Sequence, residues 1–143
     1  MLVIGAGGVA PSIIYALEKA RAKEIFLMNR TIKKAELIKN IFSRIKVIEW
    51  GVNDKFDMII NATSLGLKKQ DSMELDFKKL GNQTLFYDII YNPQETNFMK
   101  KAKTISNNVL NGKMMFIYQA HQSFAIWHNT LPAINKEVIK LVS

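Results

Sequence analysis

The chain has 143 residues, of which 48% are hydrophobic, 10% aromatic and 22% charged. That balance fits one globular domain and excludes a disordered chain, while the lack of cysteine excludes disulfides and thiolate-held metals. The formal charge of +8 permits weak association with anions, but the lysines fall in scattered pairs such as Lys33–Lys34 and Lys100–Lys101, with no aromatic-interleaved basic stripe, so a nucleic-acid partner is not expected.

In chain order, a short apolar strand at Leu2–Ile4 feeds the turn Gly5-Ala6-Gly7-Gly8-Val9-Ala10. Its spacing is G-x-G-x-x-A. In a dinucleotide fold the first small residue allows the tight strand-to-helix turn. The second lets backbone approach a pyrophosphate, and the third lets helix and strand pack closely. Val9, Ile13, Ala16, Leu17 and Ala20 then recur at helical spacing, with Pro11 in the first turn, where its missing N–H costs little. Strands are expected at Glu24–Asn29, Ile45–Trp50, Asp57–Asn61 and Thr84–Ile89, with a short one near Val109–Leu110. Helices are expected around Ala35–Phe42, Gln94–Lys103, Lys113–His128 and Ala133–Leu141. Gly66–Glu74 is the most polar connection.

Short apolar strands alternating with helices predict an α/β domain over 1–143, a Rossmann-type doubly wound parallel sheet of about six strands with helices on both faces. Only four residues precede Gly5, whereas strands average about five or six residues. The first strand of a Rossmann sheet lies in its middle, so the chain is expected to be the downstream part of a longer protein. The closing stripe Ile134, Val138, Leu141 and Val142 either caps the sheet or meets something beyond it. No apolar run approaches the roughly 20 residues that span a bilayer, and the start lacks the basic flank of a signal peptide. No membrane partner and a cytoplasmic location are expected.

The end of the second strand reads the adenosine ribose in such a fold: a carboxylate there favours NAD, a basic group the 2′-phosphate of NADP. This chain has Asn29-Arg30-Thr31, followed by Lys33 and Lys34, with no acidic residue among them. Arg30 offers planar, fork-like donors, and Thr31 can cap the next helix. The expected cofactor is NADP. Asn61-Ala62-Thr63-Ser64-Leu65-Gly66 and Asp88-Ile89-Ile90-Tyr91-Asn92-Pro93 end the fourth and fifth strands on the ligand side, and both should border the nicotinamide half. His121 and His128 stand seven apart with no acidic cluster nearby, which suits surface positions better than a metal site.

Together with Asn111-Gly112, Met115, Gln119-Ala120, Phe124 and Trp127, these segments resemble the shikimate dehydrogenase family, specifically its C-terminal NADP-binding domain. The likeness covers essentially the whole chain. It implies that Gly5, Ala6, Gly7, Gly8 and Val9 hold the diphosphate, and that Asn29, Arg30, Thr31 and Lys34 surround the 2′-phosphate. Thr63 and Ser64 then lie beside the cofactor, and Ile89 and Gly112 meet the nicotinamide end. Tyr91 and Gln119 reach shikimate. Phe116, Ala120, Phe124 and Trp127 form one apolar helix face with Gln119 beside it. The implied reaction interconverts shikimate and 3-dehydroshikimate. The family's catalytic lysine and aspartate sit in an N-terminal substrate domain with no counterpart among these residues. The chain alone is therefore expected to bind NADP(H) but turn over little or no shikimate. Quinate oxidation and a non-catalytic nucleotide-binding role are the alternatives.

Overall fold

A computed structural model describes residues 1–52, 54–77 and 79–142. Runs of apolar residues too short to bury a helix form the strands β1 (Leu2–Ile4), β2 (Ile25–Met28), β3 (Ile45–Ile48), β4 (Met58–Asn61), β5 (Leu85–Asp88) and β6 (Val109–Leu110). The helices are α1 (Ala10–Lys19), α2 (Ile32–Ile41), α3 (Asn97–Lys103), α4 (Lys113–His128) and α5 (Lys136–Leu141). All strand pairs are parallel, and the sheet order is β3-β2-β1-β4-β5-β6. Val3 at the centre pairs with Leu27 on one side and Ile60 on the other. This is the doubly wound order, and its direction reverses between β1 and β4, where a crevice must open beyond the strand ends.

Alternation along each strand divides the core into two layers. Val3, Leu27 and Ile60 pack with Ala10 and Ile14 of α1 and Ala35 and Ile38 of α2. On the opposite face, Leu2, Ile4, Met28, Ile59 and Phe86 pack with Phe98, Met99 and Ala102 of α3. Helices cover both faces, as expected, but the second layer is completed differently. The connection from β4 to β5 contains no helix among its described residues, and it buries Met73, Leu75, Phe77 and Leu80 against the sheet. Phe77, Phe86 and Phe98 meet edge to face at centroid distances of 5.6–6.0 Å.

Element ends differ from the sequence expectation where a local cap or turn intervenes. Strand β3 stops at Ile48 because Glu49–Val52 is a turn, with Gly51 at φ 92°. Helix α3 starts at Asn97 because the Thr96 hydroxyl accepts the Met99 amide, and α5 at Lys136 because Asn135 accepts that of Val138. The closing stripe does not cap the sheet. Helix α5 buries no residue, and Leu141 is 84% exposed, because α1, α2, α3 and the helix-free segment already cover both faces. Helix α4 buries only Ile117. Among the described residues, no helix is long and apolar enough to cross a membrane.

Candidate functional site

The crevice at the strand ends is a cleft of about 700 Å³. Gly5 begins it at φ 109°, and a Cβ there would stand 2.8 Å from the Ala62 carbonyl oxygen. Only glycine allows β1 to turn so close to β4. A Cβ on Gly7 or Gly8 would meet nothing within 4 Å, so both turn bare backbone to open space. The amides of Gly7, Gly8 and Val9 have no acceptor among the described residues. They precede α1, so free donors and the positive end of a helix dipole coincide, which suits a phosphate.

Asn29 ties this turn to the next one. Its Oδ1 accepts the Ala6 amide at 3.0 Å, and its Nδ2 donates to the Thr31 carbonyl at 2.8 Å. Thr31 occupies the N-cap of α2, but its side chain makes no cap hydrogen bond. Arg30 and Lys34 line the cleft, are exposed, and have no ion pair or side-chain hydrogen bond among the described residues. Two uncompensated cations therefore stand beside the glycine turn. An anionic group entering there meets no competing carboxylate from the α2 start.

The ends of β4 and β5 are joined by a buried polar network. Asn61 and Asp88 are both fully buried, and Asn61 Nδ2 donates to Asp88 Oδ1 at 3.1 Å. Asp88 also accepts the Ile90 amide at 3.1 Å and the Thr96 hydroxyl at 2.5 Å. Asn61 Oδ1 in turn accepts the Thr63 amide and hydroxyl, while Thr63 Oγ1 accepts the Leu65 amide at 3.0 Å. These bonds fix the cleft wall 63–65. Burial pushes the Asp88 carboxyl above the usual carboxylate range, against the opposing pull of its donors. Asp71 accepts the Gly66 and Lys68 amides, which hold its carboxyl below that range.

Gly5, Ala6, Gly7, Gly8, Val9, Asn29, Arg30, Thr31, Lys34, Thr63, Ser64 and Ile89 all line this one cleft. Gly112 does not; it lies behind Ile89, its amide donating to the Ile90 carbonyl at 3.1 Å. A Cβ at 112 would stand 1.8 Å from the Ile89 oxygen. Tyr91 and Gln119 also lie outside the cleft lining. Tyr91 stacks on Phe116 with centroids 4.3 Å apart, and exposed Gln119 is one turn further along α4. Trp50, Ser72 and Glu74 line the cleft without having been singled out from sequence. Trp50 carried one legible signal, an aromatic ring followed by glycine at a strand end. Ser72 and Glu74 lie on the helix-free segment, where no periodicity marks a facing side. His121 contacts the Pro132 carbonyl at 2.7 Å, and no group of metal-binding residues is present among the described residues.

The family model for shikimate / quinate 5-dehydrogenase matches residues 1–106. A shikimate dehydrogenase (NADP(+)) from Pelagibacter ubique is 50% identical over 141 residues, covering 99% of this chain and 53% of the relative. The crystal structure of shikimate dehydrogenase from Aquifex aeolicus superposes with a TM-score of 0.82 at 32% identity, covering 99% of this chain and 52% of that one. Another solved shikimate dehydrogenase, in complex with NADP+, gives 0.81 at 35% identity, with coverage of 99% and 52%. The chain spans about half the length of the curated relatives it matches. It belongs to the shikimate / quinate 5-dehydrogenase family.

Proposed function

We propose that this chain is the NADP-binding half of a shikimate dehydrogenase. In that reading the enzyme interconverts shikimate and 3-dehydroshikimate in chorismate and aromatic amino-acid biosynthesis, in the cytoplasm. The observation that carries it is the pairing of an acceptor-free glycine turn with uncompensated Arg30 and Lys34 in one cleft. The names of the relatives and the NADP+ complex of a solved neighbour support the same cofactor.

The cleft fits that cofactor. The Gly7–Val9 amides would take the diphosphate, Arg30 and Lys34 the 2′-phosphate, and the wall 63–65 with Ile89 would border the nicotinamide. When bound, NADP(H) supplies or accepts the hydride. The residues around it bind and orient, and Ile89 excludes water from one side. Tyr91 and Gln119 stand on the β5 side of the sheet, where they would meet the substrate. Proton transfer to the alcohol oxygen is worth about 10²–10⁴-fold when a positioned acid–base group performs it. In this reading that group would come from a substrate domain.

Calorimetric titration of NADP+ and NAD+ tests this reading. The wild-type chain should bind NADP+ in preference. Arg30→Ala should weaken NADP+ by about 1.5–3 kcal/mol, the worth of a charged hydrogen bond, and leave NAD+ nearly unchanged. Equal losses for both nucleotides would defeat the assignment, as would steady NADPH production from shikimate by the chain alone for the division of labour.

A further inference from the structure

We infer that Trp50 is the base-stacking wall of the cleft, an assignment that rests on the NADP reading. The strand order carries the argument. Cleft residues come in spatial sequence from Trp50 after β3, Arg30 and Lys34 after β2, the glycine turn after β1, Thr63 after β4 and Ile89 after β5. A dinucleotide with its diphosphate on the central turn must send one arm towards β4 and β5 and the other towards β2 and β3. The arm that meets Arg30 carries the ribose phosphate. The base on that ribose lies further out, and the side chain standing there is an indole.

Trp50 is built to be a wall. It is partly buried and packs against the apolar cluster that contains Leu2, Met28 and Phe56, so its ring is backed by the core. The turn Glu49–Val52 presents it, closed by the Val52 amide on the Glu49 carbonyl at 3.3 Å, with Gly51 supplying the positive φ. A ring already backed by the core loses little freedom when a base stacks on its open side. Stacking of this kind tolerates any base with a π face, so Trp50 would add affinity while Arg30 adds selectivity.

Fluorescence offers a direct test, because Trp50 and Trp127 are the chain's two indoles and Trp127 does not line the cleft. In Trp127→Phe, adenosine 2′,5′-bisphosphate should quench the remaining emission saturably, with the dissociation constant found by calorimetry. Trp50→Leu should weaken that ligand and NADP+ alike by roughly 5- to 150-fold, the range of base–aromatic stacking. Trp50→Phe, which keeps a ring against the core, should retain most of the affinity, and the quenching in Trp127→Phe decides the matter if the leucine variant does not fold. Unchanged affinity in Trp50→Leu, or no saturable quenching in Trp127→Phe, would overturn the inference while leaving the NADP reading intact. A wild-type chain that binds neither ligand would overturn the NADP reading itself, and the inference with it.

Discussion

Gly5 and Gly8 belong to the same motif but do different work, and substitution separates them. Alanine at Gly5 must hold φ 109° and push a methyl to 2.8 Å from the Ala62 oxygen. The backbone strain alone costs about 1–3 kcal/mol, so chemical denaturation should find Gly5→Ala clearly destabilised. Gly8→Ala meets no neighbour within 4 Å and should leave the denaturation midpoint nearly unchanged. If the glycine turn holds the diphosphate as proposed, the added methyl would crowd it, and calorimetry should show weaker binding of NADP+ and NAD+ together. Such residues were legible in the sequence because their chemistry is local: a glycine spacing and an Asn-Arg-Thr at a strand end each fit within a few positions. Glu74 was not, and Trp50 only as an aromatic at a strand end, since their part in the cleft depends on where distant strands and a helix-free excursion bring them. Asp88 was quoted as a strand end, yet its bonds to Asn61 and Thr96 span 27 and 8 residues.

Among the elements, the joint between β4, β5 and α3 depends on that buried carboxylate. Its folded pKa is raised by burial, so its stabilising contribution is complete below the ordinary carboxylate value and is lost as pH climbs through the raised one. Urea midpoints of the wild type should therefore fall, relative to Asp88→Asn, across the weakly acidic range; a constant gap would contradict the sign. Asp88→Ala would do more harm, leaving buried donors from Asn61 and Thr96 unpaired at about 1–3 kcal/mol each. Element type and order were readable from apolar periodicity, and α4 spans Lys113–His128 as its spacing predicts. Ends were less readable. The capping by Thr96 and Asn135 depends on geometry that periodicity does not encode.

At the scale of the molecule, stability is unevenly distributed. Strand β1 is buried throughout, whereas Ile126, Trp127 and Leu131 are 80%, 77% and 63% exposed on or just after α4. Local opening is cheapest where few apolar contacts must break. Native-state hydrogen exchange should find the second half of α4 and all of α5 exchanging much faster than Val3 and Ile60. Equal protection across the chain would contradict that gradient. The apolar side chains left open on these helices also explain why the sequence alone left two uses for the closing stripe. An apolar pattern marks a face suited to packing, and does not say what packs on it.

The meeting of Gly112 with the Ile89 carbonyl has a genetic consequence. Every missense change at a glycine codon adds a Cβ, and at 112 that atom would fall inside the carbonyl, at 1.8 Å. Neither partner is a flexible side-chain tip that can swing aside. A saturation library selected for folded protein should thus return glycine almost alone at codon 112, while codon 81, where a Cβ would meet nothing within 4 Å, accepts a broad alphabet.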